Sequence, residues 1–297
     1  MAKIKTTIRY AGGKSKAIKH IIKHIPNNID TIVSPFVGGG SLEVYLANEL
    51  NKKVIGYDVF DILVNFWQIQ LSNPVELYNE LNKLKPTKDV YDKIKDKLKK
   101  WGKSQNLFLE LKTTYYNDNP IELTDIQGAA YYYFNHNLSY GPMYMGWLSS
   151  IYKDNEKKYK AMINRVKNFK CRNLSVYQSD FEKVLKKHNN DFLYLDPPYL
   201  LGESKDNKMF KGMYPNPNYA IHHNNFNHKK LRDLLYNHNG GFILSYNNCE
   251  NINEWYEDFD IYYPEWMYSY GQGETRIGKN KTNNNPKQSH EILIVKK

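Results

Sequence analysis

Short apolar runs, set in a strongly polar chain, recur at intervals that fit strands separated by helices. The clearest is Phe192-Leu193-Tyr194-Leu195. It is apolar without alternation, as expected of a strand buried on both faces of a parallel sheet. Similar runs stand at Thr31-Ile32-Val33, Lys53-Val54-Ile55-Gly56-Tyr57-Asp58, Leu174-Ser175-Val176-Tyr177, Phe242-Ile243-Leu244-Ser245-Tyr246 and Glu291 to Val295. Phe36-Val37-Gly38-Gly39-Gly40 turns the chain after the first of these runs, and Ser41 to Leu50 reads as a helix before the next. Strand, glycine turn, helix and a strand ending in an acid make a βαβ unit. Upstream, Ser15 to His24 reads as a helix bounded by Pro26.

Between Asp61 and Asn168 the pattern changes. Charge-rich helical stretches, Pro74 to Leu84 and Val90 to Trp101, flank an aromatic, glycine-containing centre from Tyr131 to Trp147. The pattern predicts an α/β fold: a doubly wound, mostly parallel sheet with an antiparallel final hairpin. The sheet domain takes residues 1–60 and 169–297, and a helical insertion takes 61–168. Lys279 to Gln288 is polar, Asn-rich and loop-like. There is no internal repeat.

Composition narrows the setting. The chain has 297 residues, 41% hydrophobic and 25% charged, as a globular protein has. No apolar run is long enough to span a bilayer, and Met1-Ala2-Lys3-Ile4-Lys5 lacks the apolar core of a signal peptide. Cys171 and Cys249 show no metal-ligand spacing and read as free thiols in a reducing, cytoplasmic setting. The net charge of +11 and pI near 9.2 favour a polyanionic partner, nucleic acid being the commonest. Asn, Lys, Ile and Tyr all have A/T-rich codons, so part of this basicity reflects an A/T-rich genome.

The candidate chemistry centres on Asp196-Pro197-Pro198-Tyr199, directly after the Phe192–Leu195 run. Two prolines remove two backbone donors and fix two φ angles, and each pushes its predecessor to extended geometry. The result is a stiff turn at the carboxyl end of a strand, where open α/β sheets bind ligands. It offers a carboxylate, proline carbonyls and an aromatic ring, a set that suits a planar heterocycle carrying an amino group. Gly38-Gly39-Gly40 is not a dinucleotide fingerprint, because Glu43 stands where a third glycine is needed. Gly13-Lys14-Ser15 is not a phosphate loop, because Ile8 stands where that motif requires glycine. A glycine turn without phosphate signals, followed by Asp58 at a strand end, suits a nucleoside cofactor whose ribose hydroxyls meet an acid.

Taken together these segments resemble the Dam-like adenine-specific DNA methyltransferases. Tyr10-Ala11-Gly12-Gly13-Lys14 is similar to the N-terminal cofactor motif of that family, and Ser34-Pro35-Phe36-Val37-Gly38-Gly39-Gly40-Ser41 to its cofactor loop. Tyr57-Asp58-Val59-Phe60-Asp61 stands where the family has its ribose-binding acid, with Phe60 in place of the usual Asn. Phe134 to Pro142 loosely resembles part of the target-recognition insertion. Ser179-Asp180-Phe181 resembles the step before the catalytic strand, and Asp196-Pro197-Pro198-Tyr199 the catalytic motif. The order of motifs is also the family's.

The resemblance implies a Rossmann-like methyltransferase sheet with a helical target-recognition insertion. It implies S-adenosylmethionine as cofactor, no metal, and double-stranded DNA as partner, with methyl transfer to the 6-amino group of a flipped-out adenine. Cofactor contacts carried over are Tyr10, Lys14, Phe36, Gly38, Gly40, Asp58, Asp180 and Asp196. Catalytic residues are Asp196, Pro197, Pro198 and Tyr199. Candidate DNA contacts are Asn135, Asn137 and Tyr140 in the insertion and Lys205, Lys208 and Lys211 in the loop after the catalytic turn. A cytosine 4-amino group or an RNA adenine presents similar chemistry and stays open, as does a catalytically inactive DNA-binding protein on the same fold. The family implies a bacterial, phage or viral restriction-modification context. The chain carries no nuclease signature, and monomer and dimer are both compatible with it.

Overall fold

The computed structural model describes residues 5–10, 12–101, 123–140, 144–200, 226–265, 267–268, 287–288 and 291–297. The chain divides into two compact units, one of Met1–Gly13 and Val37–Gln178, the other of Lys14–Phe36 and Ser179–Lys297. Strands β2 and β3 share a unit with the helices between them, whereas the sequence division at residues 60 and 168 follows the change of periodicity.

In the first unit, helix α2 (Ser41–Glu49) leads into β2 (Lys53–Asp58), which pairs in parallel with β3 (Leu174–Gln178) from Val54↔Leu174 to Asp58↔Gln178. Between them run α3 (Asp61–Ser72), α4 (Pro74–Asn82), α5 (Lys88–Lys100), α6 (Asp125–Leu138) and α7 (Glu156–Lys167). Pro74 opens α4 at a position where its missing N–H costs nothing. Thr87 caps α5 by accepting the Val90 N–H, and Tyr91, Ile94 and Leu98 form its buried stripe. α6 starts in a reciprocal capping box of Thr124 and Gln127. It packs against α3, α4 and α5 and is buried on nearly every face. That is why its sequence shows no helical stripe and reads only as an aromatic centre.

In the second unit, a helical segment built from two 3-10 turns and α1 (Ile18–Ile21) precedes β1 (Thr31–Ser34). β1 pairs in parallel with β4 (Phe192–Leu195), and β4 with β5 (Phe242–Asn247). β4 and β5 are buried along their whole length. The last long strand, β9 (Glu291–Lys296), runs antiparallel to β5 and to the short β6 (Asp260–Tyr262). Met267–Tyr268 (β7) and Lys287–Gln288 (β8) form a separate antiparallel pair. Helix α8 (Phe181–Lys187) and the helix His228–Tyr236 pack together. The expected strands therefore form, including the antiparallel final one; β6, β7 and β8 are additions, and Lys287–Gln288 is strand at the end of a stretch expected to be loop. Among the described residues no helix is long and apolar enough to cross a membrane.

Candidate active site

In the first unit the site is built around a carboxylate and a glycine turn. Asp58 ends β2, and each of its carboxylate oxygens accepts one backbone N–H: Oδ2 from Gly38 at 3.0 Å and Oδ1 from Phe60 at 2.9 Å. The Val37 N–H donates to the Tyr57 carbonyl at 2.8 Å, so the turn is tied to the strand end by backbone as well. Gly38 and Gly40 have φ of +45° and +61°, in the left-handed region that favours glycine. A Cβ on Gly38 would stand 3.2 Å from the Tyr10 ring, and one on Gly40 would stand 2.6 Å from the Trp67 indole. The same indole donates its N–H to the Gly38 carbonyl at 2.9 Å. Burial pushes the Asp58 carboxyl up to about 6, against the pull of its backbone donors.

Tyr10 covers this turn, and α6 holds Tyr10. The His136 ring stacks on the Tyr10 ring with centroids 5.5 Å apart. His136 Nε2 meets the Arg9 carbonyl at 2.6 Å, so that nitrogen carries the proton. Burial lowers the His136 pKa to about 4, and the ring is neutral. Asn137 accepts the Arg9 N–H on its Oδ1 at 2.8 Å, and its carbonyl accepts the Arg9 guanidinium at 3.0 Å. These contacts correct one expectation. Asn135 and Asn137 are fully buried, Asn135 accepting the Met145 N–H and Asn137 the Arg9 N–H, so they scaffold backbone and do not face base edges. Tyr140 is 54% exposed and Trp147, which sequence reasoning passed over, 81% exposed; the Tyr140 N–H donates to the Trp147 carbonyl. Lys205, Lys208 and Lys211 lie outside the described residues. Phe60, where the family has Asn, is buried against Tyr132 and Tyr144.

In the second unit the site is the turn after β4. Lys14, 4% exposed, places its ammonium 2.8 Å from Asp196 Oδ1. The Tyr199 hydroxyl donates to the same Oδ1 at 3.2 Å, and the Lys14 ammonium also lies 5.2 Å from the Tyr199 ring centroid. Both contacts described for Asp196 therefore fall on one oxygen. Burial raises the Asp196 carboxyl above the usual range, while Lys14 and Tyr199 pull it back down. Lys14 thus contacts the Asp196 turn directly. Asp180 caps α8, its Oδ1 accepting the Glu182 N–H at 2.8 Å. Phe36 belongs to an aromatic cluster with Phe181 at 5.8 Å and Phe226 at 5.6 Å between centroids.

Four residues that sequence reasoning missed support this turn. Tyr246 on β5 stacks on Tyr199 at 5.8 Å, and the His228 Nδ1 is hydrogen-bonded to the Tyr246 hydroxyl. Asn247 donates to the Leu200 carbonyl at 2.8 Å. Glu291 lies 3.6 Å from the Lys14 ammonium. Only Glu291 carried a sequence signal, as a lone acid opening an otherwise apolar strand.

The donor set fits a nucleoside cofactor. Asp58 retains lone pairs beyond the two backbone donors it accepts. Hydroxyl donors would stabilise its charge, which burial disfavours. The space that Cβ atoms at Gly38, Gly39 and Gly40 would fill is taken by the rings of Tyr10 and Trp67, so the turn packs closely against both. Cys171 and Cys249 are free thiols, and burial raises both, so neither is an activated nucleophile.

Residues 10–270 match the family described as D12 class N6 adenine-specific DNA methyltransferase. The modification methylase StsI of Streptococcus sanguinis is 25% identical over 312 residues, covering 98% of this chain and 43% of the relative. The type II methyltransferase M.FokI of Planomicrobium okeanokoites is 26% identical over 313 residues, with the same two shares. The chain thus spans under half the length of these two relatives. The type II methyltransferase M1.LlaDCHI of Lactococcus lactis subsp. cremoris is 23% identical over 287 residues, covering 91% of each chain. With the family match running from Tyr10 through both strand-end carboxylates to residue 270, the chain belongs to the D12 class of N6 adenine-specific DNA methyltransferases.

Proposed function

We propose that this chain moves a methyl group from S-adenosylmethionine to the 6-amino group of an adenine extruded from duplex DNA. The observation that carries the reading is the asymmetry of Asp196: Lys14 and Tyr199 hold Oδ1, and no described contact takes Oδ2. Its side chain is 23% exposed, against 4% for Lys14, so the carboxylate is the member of the pair that a ligand can reach.

The glycine turn, Tyr10, Phe36, Asp58 and Asp180 bind the cofactor in this reading, with Asp58 taking ribose hydroxyls. When bound, S-adenosylmethionine supplies a methyl group on a sulfonium, and the new N–C bond forms as the S–C bond breaks with its electrons going to sulfur. An adenine amino nitrogen is a poor nucleophile, because its lone pair is delocalised into the ring. Asp196 Oδ2 and the Pro197 carbonyl accept its two N–H groups, which localises the lone pair and aims it. The carboxylate is the stronger acceptor, since a charged partner roughly doubles a hydrogen bond. Its negative charge stabilises the positive charge that grows on nitrogen. The surplus proton then passes to Oδ2 and on to water; the upward shift of Asp196 favours that acceptance. The rigid Pro197-Pro198 turn holds these acceptors in place before the base arrives. Tyr199 gives the extruded base a stacking surface worth about 1–3 kcal/mol.

DNA contact is assigned to the helical segment 61–168, where Tyr140 and Trp147 are exposed aromatics among the described residues. Nucleoside mass spectrometry of DNA from a host lacking such methylation, expressing this chain, tests the reading. N6-methyladenine supports it. N4-methylcytosine moves the substrate to cytosine, modified adenine confined to RNA moves it to RNA, and unmodified nucleic acid with intact cofactor binding points to an inactive DNA-binding protein.

A further inference from the structure

Tyr199 has two tasks in the proposed mechanism: its hydroxyl holds Asp196, and its face receives the base. The hydroxyl donates to Asp196 Oδ1 at 3.2 Å. That bond fixes the axis of the ring but not its plane. The phenol oxygen lies on the axis about which χ2 turns, so rotation of the ring leaves it in place, and χ2 of a tyrosine is broad and twofold. Contact with the face of the ring is what sets the plane. Tyr246 makes such a contact, its ring stacked on Tyr199 with centroids 5.8 Å apart and 26° between planes.

Tyr246 is itself held firmly. It lies fully buried on β5, a strand paired on one side with β4 and on the other with β9. The rings of His228 and Tyr256 stand beside it, at 5.9 Å and 6.4 Å between centroids. Its hydroxyl is hydrogen-bonded to His228 Nδ1, the kind of partner that a buried phenol needs. Burial in a close-packed interior fixes the plane of this ring, and the His228 bond fixes its far end. The order of the sheet thus reaches the catalytic turn through one aromatic ring.

The plane of Tyr199 has chemical consequences. The two N–H bonds of an adenine amino group lie in the plane of the base. In the methyl-transfer reading they meet Asp196 Oδ2 and the Pro197 carbonyl while the base stacks on Tyr199. A stacked base takes its tilt from the ring beneath it. A wrong tilt carries the N–H bonds off their acceptors and the nitrogen off the line to the methyl group. Misplacement by about 1 Å at a reacting centre costs about 100-fold in rate.

We propose that Tyr246 is a positioning residue for the extruded adenine: it fixes the plane of Tyr199, and through Tyr199 the plane in which the base presents its amino group to Asp196. The inference rests on the methyl-transfer reading.

The test compares Tyr246→Leu, which removes the backing ring, with Tyr246→Phe, which keeps it. Rates are measured on the full chain with unmethylated genomic DNA and labelled S-adenosylmethionine. Tyr246→Leu should lower kcat by about 10–100-fold, with the KM for DNA and the cofactor affinity within about threefold of the parent. Tyr246→Phe should retain about a third or more of the parent kcat, because the ring and not the hydroxyl backs Tyr199. In a Tyr199→Ala background Tyr246→Leu should change kcat less than about threefold. A loss confined to KM, an equal loss in Tyr246→Phe, or an undiminished loss without Tyr199 overturns the proposal. NMR of ring-labelled tyrosine gives a readout that needs no turnover, the Tyr199 signal being identified by its absence in Tyr199→Phe. The Tyr199 ring should flip about tenfold faster or more in Tyr246→Leu than in the parent, and an unchanged flip rate overturns the proposal. That readout decides the inference even if the chain proves not to methylate DNA, an outcome that the parent control reveals separately. If Tyr246→Leu does not fold, Tyr246→Met, which also lacks the ring, carries the same rate and NMR tests with the same expected and overturning results.

Discussion

One carboxylate oxygen of Asp58 accepts the Gly38 N–H at 3.0 Å, so the acid that ends β2 is also the clasp of the glycine turn. The second oxygen accepts the Phe60 N–H, and the pair of bonds fixes the carboxylate without any described ion pair. Asp58→Ala should therefore weaken cofactor binding by about 1.5–3 kcal/mol, the worth of hydrogen bonds to a charged group. Isothermal calorimetry with S-adenosylmethionine and its demethylated product measures it. Unchanged affinity would leave Asp58 as a turn clasp and nothing more.

The same residue gives a pH prediction with a definite sign. Burial raises the Asp58 carboxyl to about 6, so the folded chain binds this proton more tightly than the unfolded chain. Its stabilising contribution is full below the ordinary carboxylate range and is lost as pH rises through about 6. Denaturant unfolding from pH 4 to 7 should show that decline, and Asp58→Asn should flatten it. Cofactor affinity should move the other way, improving as Asp58 ionises.

Asp196→Ala should abolish methyl transfer while the fold and most DNA affinity persist. In the proposed mechanism the carboxylate acts on charge that develops in the transition state, whereas affinity for a duplex comes mainly from phosphate contacts. Single-turnover rates and a binding isotherm on one duplex separate the two quantities. A variant that retains more than a tenth of the parent rate would falsify the assigned role of Asp196.

Much of the scaffold was legible because burial writes itself into composition. β4 and β5 are buried throughout, and their apolar runs mark them. α5 shows its stripe because one face meets solvent; α6 hides its period because nearly every face is buried. β6 is three residues with no apolar run and left no signal. The carboxylates were legible because glycine and proline fix distinctive turns beside them. Their partners were not. The Lys14–Asp196 pair joins residues far apart in the chain, and the support from Tyr246, Asn247 and Glu291 depends on strand register. Asn135 and Asn137 misled because an Asn-rich stretch reads as polar surface, while here both amides satisfy buried backbone.

Gly40→Ala should destabilise the glycine turn by two routes. The new side chain must hold a φ near +61°, at a cost of about 1–2 kcal/mol. Its Cβ would also stand 2.6 Å from the fully buried Trp67 ring, and overpacking of that kind costs about 1–3 kcal/mol more. Calorimetric melting should show Tm lowered by roughly 5–15 °C. In a Trp67→Leu background the steric part should vanish and the backbone part remain. Equal losses in both backgrounds would mean that the indole is not what the turn is built against.

The net charge of +11 makes a prediction that separates a DNA enzyme from a small-molecule one. If the basic surface neutralises about six phosphates, log affinity should fall against log salt with a slope near −5. A free adenine nucleoside has the same amino group but none of the phosphate contacts that place the base, so its methylation should be feeble at every salt concentration. An enzyme for a small acceptor would show the reverse, turning over the nucleoside well with little response to salt. Both quantities can be read in one buffer series, using a duplex and the nucleoside as competing acceptors of labelled methyl. A flat salt response with efficient nucleoside turnover would end the assignment to DNA. The steep response is expected because Asp196 can select an amino group but not a sequence. Discrimination among the many amines of a cell must then come from the polyanion that carries the base, and +11 is the charge that would hold it.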